Sequence, residues 1–184
     1  MKDTALLFID IQNDYFPGGR MELDGAVEAG KNAGKILSHC REINMAVIHI
    51  QHLSARQGAT FFIPGTEGAE INRCVAPVPG EKIIQKNFPN SFRQTGLSEH
   101  LEKLNIKKLI ICGMMTHMCV DATVRAAFDL GYTCMVAADA CATKELVHEG
   151  VTISALHVHG AFLAALGSVY AEIQNTTEFM KRFN

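Results

Sequence analysis

Residues 108–121 read Lys108-Leu109-Ile110-Ile111-Cys112-Gly113-Met114-Met115-Thr116-His117-Met118-Cys119-Val120-Asp121. The run up to Gly113 is apolar and strand-like. A helical pattern begins almost at once, with Val120, Val124, Ala127 and Phe128 on one side. A strand that hands over directly to a helix is the building unit of a parallel sheet. Cys119 lies at the handover, where backbone N–H groups lack intrahelical partners and the helix dipole is positive. The expectation is therefore a thiol biased toward thiolate. The plainer alternative is a buried core cysteine, so the functional reading needs partners for a nucleophile elsewhere in the chain.

Outward from this stretch, strands and helices alternate. Short apolar runs at residues 5–10, 45–51, 82–85, 108–113, 132–138 and 168–173 read as strands. Helical patterns occupy residues 25–43, 97–104, 117–130 and 149–166. The second of these is expected to be capped by Thr95 or Ser98, and the last two to stop at Gly131 and Gly167. On residues 149–166 the face Val151, Ala155, Val158, Phe162 and Leu166 should be buried. The order implies an α/β, Rossmann-like, doubly wound and mostly parallel sheet with helices on both faces, a three-layer αβα sandwich. Residues 1–184 fit a single domain. Residues 52–81 form the longest irregular stretch and are expected to border the site.

The formal net charge of −2 leaves no electrostatic footprint for nucleic acid or an anionic membrane. No apolar stretch approaches the ~20 residues needed to span a bilayer. Lys2 and Asp3 lead straight into an apolar strand, without a small-residue cleavage site, which argues against a signal peptide. The six cysteines contain no C-x-x-C pair, so structural zinc and thioredoxin-type chemistry lack support. Free thiols point to a reducing, cytoplasmic location.

In doubly wound sheets the ligand lies outside the carboxyl ends of the strands. Three reactive side chains fall there: Asp10, Lys86 and Cys119. A carboxylate can take the proton of a nearby thiol, and an ammonium beside both offsets their repulsion. Each residue alone is a weak signal. Their shared sheet edge is the informative feature.

The chain resembles the isochorismatase-like cysteine hydrolases, the superfamily that includes nicotinamidases and N-carbamoylsarcosine amidase. The matching pieces are Leu6-Leu7-Phe8-Ile9-Asp10-Ile11-Gln12-Asn13-Asp14-Tyr15-Phe16, Pro64-Gly65-Thr66-Glu67-Gly68-Ala69-Glu70-Ile71, Lys86-Asn87-Phe88-Pro89-Asn90-Ser91-Phe92 with Thr95-Gly96-Leu97, and residues 113–123. The resemblance implies a catalytic triad of Asp10, Lys86 and Cys119. It also implies a cis peptide between Met114 and Met115, with the Met115 and Cys119 N–H groups as an oxyanion hole. Backbone donors at a helix start suit a developing oxyanion. The expected chemistry is acyl transfer on a small amide-like substrate, with Asp10 as base and Cys119 as nucleophile. Phe16, His52, Phe88, Phe92, Met114 and Met118 are candidate pocket residues. No cofactor is implied, and family analogy suggests a homo-oligomer, a dimer or tetramer.

The chain departs from the nicotinamidase pattern after the second strand. A metal-binding acid–x–histidine pair is replaced there by His52 and Ser54, and one histidine makes a poor divalent site. No metal is therefore expected. His49 and His52 are three apart on a strand and should face opposite ways. His117, His157 and His159 are read as packing or rim residues, Asp14 as a helper or turn residue, and Asp121 with Arg125 as a surface pair. Two alternatives stay open: hydrolysis of a vinyl ether with Asp10 as acid, and a non-catalytic member of the fold. Dinucleotide binding is disfavoured, since Ile11-Gln12-Asn13 stands where G-x-G-x-x-G would begin.

Overall fold

The computed structural model describes residues 2–182. Its frame is a six-stranded parallel sheet built from β1 (Thr4–Ile9), β2 (Ala46–His52), β3 (Lys82–Lys86), β4 (Lys108–Met114), β5 (Thr133–Ala142) and β8 (Ala171–Gln174). The spatial order is β3-β2-β1-β4-β5-β8, and every neighbouring pair runs parallel. The order reverses between β1 and β4, which opens a crevice beyond their carboxyl ends. No helix among the described residues is long and apolar enough to cross a membrane.

The continuous apolar run of β1 follows from burial on both sheet faces. Leu6 and Phe8 join one core layer, under α1 (Ala26–Glu42) and α5 (Thr176–Arg182). Ala5, Leu7 and Ile9 join the other, with residues of α2 (Leu97–Lys103), α3 (Asp121–Asp129) and α4 (Ala155–Val169). All six residues of β1 are buried, which a strand with one wet face could not show.

Several local expectations are corrected. Residues 149–154 are not helical. Glu149 (φ 49°) and Gly150 (φ 78°) make a two-residue turn joining β6 (Leu146–His148) to β7 (Val151–Ile153), an antiparallel hairpin. Two successive left-handed residues are the usual solution for a tight hairpin. Val151 is consequently exposed rather than part of a buried helical face. Helix α4 starts after Ser154, whose Oγ accepts from the His157 N–H, and it continues past Gly167 to Val169. The last strand is shorter than expected, and β5 extends four residues beyond residue 138. At α2 the N-cap residue is Gly96, although the Leu97 N–H still reaches the Thr95 hydroxyl at 3.3 Å.

The most consequential correction is at the handover. Residues Thr116–Val120 form a π-type turn before α3 begins. The Met115 carbonyl accepts from both the Met118 N–H (3.0 Å) and the Val120 N–H (3.2 Å). Wide turns of this kind concentrate at functional sites. Just before it, Gly113 adopts φ 150°, and a Cβ there would lie 2.2 Å from the Ile9 carbonyl oxygen. Only glycine lets β4 lie this close to β1.

Candidate active site

Asp10 sits directly after β1 with φ 52°, a left-handed conformation that a short acidic side chain tolerates better than most. Its N–H donates to the Ile50 carbonyl and its own carbonyl accepts from the Gln12 N–H, which fixes the chain direction as it leaves the sheet. Lys86 ends β3, and its side chain is fully buried. A buried lysine requires a partner. Its ammonium lies 2.8 Å from Asp10 Oδ2 and donates to the Pro89 carbonyl at 2.7 Å. The Lys86 contact is an ion pair. Neither Asp10 oxygen completes a directional hydrogen bond among the described residues.

Cys119 comes from the π-type turn and is buried. His52 ends β2, with Nδ1 3.6 Å from Asp10 Oδ2 and 3.8 Å from Cys119 Sγ. The four groups therefore arrive from the ends of β1, β2 and β3 and from the turn beyond β4. The electrostatics are opposed. Burial alone would raise the Asp10 carboxyl, but the Lys86 ammonium, helped by His52 and Cys119, holds it below the usual carboxylate range. Burial pushes the Cys119 thiol far up, Asp10 adds to this, and Lys86 offsets only part. The thiolate bias expected from a helix start is thus reversed. In the resting protein the negative charge belongs on Asp10 and the proton on sulfur.

Gln12 lies in the stretch that carries the resemblance, but nothing beyond its place after a buried strand marks it as a site residue in the sequence. Its side chain is fully buried. The amide Nε2 donates to the carbonyls of His52 (2.9 Å) and Ala69 (2.7 Å), and Oε1 accepts from the His52 N–H at 2.7 Å. Gln51 also donates to the Ala69 carbonyl, at 3.0 Å. These bonds tie the long 52–81 loop to the sheet edge. Phe62, another residue without a sequence signal, packs its ring 5.7 Å from that of His52. Asp14 holds Phe62 in place: Oδ2 accepts from the Phe62 N–H at 2.6 Å and Oδ1 from the Arg20 N–H at 3.1 Å. Gly68 lies so near this carboxylate that a Cβ would approach to 2.1 Å.

The remaining candidates scatter. The Met114–Met115 peptide is cis. The Met114 side chain points into the core with Leu6 and Phe8, which removes it from the pocket wall. Phe92 stacks on Tyr132, at the start of β5 and the opposite end of the sheet, so it is not a wall residue either. Phe16 packs its ring on Gly30 of α1 and borders a surface groove with Gly68, Asn72 and Cys74 that includes none of the four clustered groups. Phe88 is half-buried beneath the Arg93 guanidinium, 3.8 Å from the ring centroid, and Met118 is exposed. A second cavity, at the amino-terminal end of β4 and β5, also lies away from the cluster.

The histidine readings divide as expected on geometry. His49 faces away from His52 and pairs with Glu81 at 2.9 Å. His117 bonds to Thr143 and meets the Phe162 ring edge-on, while His159 bonds to Thr116 at 2.9 Å. Asp121 and Arg125 form an i,i+4 pair at 3.0 Å. Asp10, His52 and Cys119 present donor atoms within 4.8 Å of one another, the one such metal-competent group among the described residues. The Lys86 ammonium already serves as counter-cation there, and Ser54 donates to the Phe61 carbonyl instead of joining the group.

Comparison with known proteins agrees with this frame. Residues 4–164 match the family model for the isochorismatase domain. The chain is 51% identical to the uncharacterized isochorismatase family protein YddQ of Bacillus subtilis, over 97% of this chain and 99% of that one. A crystal structure from Oleispira antarctica, described as an isochorismatase hydrolase, superposes with a TM-score of 0.94 at 45% identity, covering 98% and 97% of the two chains. A streptothricin hydrolase of Streptomyces noursei is 32% identical over 77% of this chain and 50% of its own length. A parallel sheet whose carboxyl edge gathers an acid, an ammonium and a thiol, together with these likenesses, makes the chain a member of the isochorismatase family of hydrolases.

Proposed function

We propose that this protein cleaves a C–N bond of a small amide-like substrate through a thioester on Cys119. The observation that carries the reading is the buried Asp10–Lys86 ion pair, 2.8 Å long, placed beside a thiol whose proton burial retains. A carboxylate held ionised next to a protonated thiol is a base next to its substrate proton.

Asp10 removes the proton from Cys119 as sulfur attacks the carbonyl carbon. The Met115 and Cys119 N–H groups receive the oxyanion. Collapse of the tetrahedral species breaks the C–N bond, and Asp10 returns the proton to the departing nitrogen. Asp10 then deprotonates a water that cleaves the thioester, releasing the acid and restoring the thiol. Lys86 keeps Asp10 charged and oriented throughout. The hydrolase likeness, including one to a streptothricin hydrolase, is consistent with this reaction class.

Release of ammonia or amine from a panel of small carboxamide, ureido and lactam compounds tests the proposal. Wild-type protein should turn over at least one class, and Cys119→Ala should not. Release of amine by Cys119→Ala at the wild-type rate would overturn the thioester route, whereas no release from any compound by the wild type, with hydrolysis of a vinyl ether that Cys119→Ala retains, would favour chemistry in which Asp10 acts as acid and sulfur is dispensable.

A further inference from the structure

The sulfur of Cys119 has more company than the three-residue arrangement requires. His52 Nδ1 lies 3.6 Å from Asp10 Oδ2 and 3.8 Å from Cys119 Sγ, so it is nearly equidistant from the two atoms that exchange the proton. The imidazole is not free to wander. Gln12 holds the His52 backbone at both its N–H and its carbonyl, and Phe62 packs against the ring. A rigid polar group aimed at both ends of a proton transfer calls for a role.

We propose that His52 is a further catalytic residue, donating its Nδ1–H to the negative charge as that charge moves from Asp10 to the Cys119 sulfur. The inference rests on the acyl-transfer reading and adds a fourth participant to it. The tautomer follows from the neighbours. An ionised carboxylate only accepts hydrogen bonds, so a ring nitrogen facing Asp10 is favoured with its hydrogen on. Before transfer the Nδ1–H faces the carboxylate. After transfer Asp10 is neutral, sulfur is anionic, and the same donor serves the thiolate. No proton leaves His52: the S–H bond breaks, the Asp10 O–H bond forms, and the imidazole keeps its hydrogen. Lys86 also acts on the sulfur, but two of its three ammonium N–H groups face Oδ2 and the Pro89 carbonyl, so His52 adds a donor beside it and does not replace it.

The groups facing the sulfur are Asp10 from the end of β1, His52 from β2 and Lys86 from β3, with Tyr15 in the turn beyond β1. Of these, only His52 contributes a ring N–H.

The test needs no known substrate. Cys119 alkylation by iodoacetamide is followed against pH by peptide-resolved mass spectrometry, in a Cys74→Ser background because Cys74 is partly exposed. Thiolate absorbance near 240 nm is followed in parallel and requires no reagent access. His52→Phe keeps a ring against Phe62 and removes the donor, whereas His52→Asn retains an N–H donor. His52→Phe should slow Cys119 alkylation at neutral pH by about 10- to 100-fold, the worth of one hydrogen bond to a charged group, and move thiolate formation to higher pH. His52→Asn should recover part of both. Profiles for His52→Phe that overlay the wild type, or thiolate appearing at lower pH, would overturn the assignment. Asp10→Asn separates the two readings. Should it leave Cys119 unchanged while His52→Phe slows it, the base assignment fails and the donor assignment stands.

Discussion

Gln12 grips His52 at both backbone polar groups: its Oε1 accepts from the His52 N–H at 2.7 Å and its Nε2 donates to the His52 carbonyl at 2.9 Å. A third bond runs to the Ala69 carbonyl at 2.7 Å. One buried side chain thereby fixes the end of β2, the imidazole beside the nucleophile, and the far part of the 52–81 loop. Gln12→Leu should strip the side-chain partner from the His52 N–H and carbonyl, while the Ala69 carbonyl keeps Gln51. An unsatisfied buried group costs roughly 1–3 kcal/mol, and water will rescue some of them, so a loss of about 2–4 kcal/mol is expected. For a chain of this size that lowers Tm by about 5–15 °C. A thermal melt matching the wild type would show that the grip contributes nothing to stability.

Gly113→Ala should be among the most damaging single substitutions. The added Cβ would fall 2.2 Å from the Ile9 carbonyl oxygen and 2.8 Å from the Ile9 Cβ, at a φ of 150° that other residues avoid. Neither neighbour can swing away, since both belong to the central strand. A destabilisation of about 3 kcal/mol or more is expected, read as a lower midpoint in urea. A midpoint within error of the wild type would contradict the close approach of β1 and β4.

Lys86→Met should reverse the pH dependence contributed by Asp10. In the wild type the folded Asp10 pKa lies below its unfolded value. Its stabilisation is thus present above the unfolded pKa of about 3.9 and lost as pH falls through the folded one. Without the ammonium, burial dominates and the folded pKa rises above the unfolded one. The variant should then be stabilised by acid and lose stability as pH climbs past about 4, with a penalty of roughly 3–5 kcal/mol for the unpaired buried charge at neutral pH. Melting curves between pH 3 and pH 7 give the sign. Parallel pH profiles for variant and wild type would argue against the ion pair.

The same shifts set the activity profile. The competent form carries Asp10 ionised and Cys119 protonated. Asp10 is held below its ordinary range and Cys119 is pushed above its own. Turnover should therefore be flat from about pH 4.5 to about pH 8, between the ordinary values of the two groups. The limbs belong to the coupled pair rather than to either residue. A narrow bell centred near pH 7 would mean that another group limits the rate.

Residue identity alone brought Asp10, Lys86 and Cys119 to one sheet edge, because strand ends in a parallel sheet are places that periodicity can locate. The fold followed for the same reason: β1 is apolar at every position from Ala5 to Ile9, which only burial on both faces explains. Other features depend on quantities that spacing does not carry. The hairpin at residues 146–153 hides inside a helix-like apolar pattern, and its decision rests on Glu149 and Gly150 both turning left-handed. Phe92 and Met114 have the right neighbours in sequence but point elsewhere, onto Tyr132 and into the core. The Cys119 proton stays on sulfur because burial, which local sequence does not show, outweighs the electrostatics of a helix start. Gln12 and Phe62 act through a loop whose path no local pattern dictates.

The thioester is the step on which the mechanism stands. Protein incubated with an amide that it turns over, quenched in acid within a single turnover and digested, should carry the acyl mass on the peptide containing Cys119, and Asp10→Asn should carry far less. Turnover by the wild type with no acyl mass on that peptide, together with unimpaired turnover by Cys119→Ser, would contradict covalent catalysis by this sulfur.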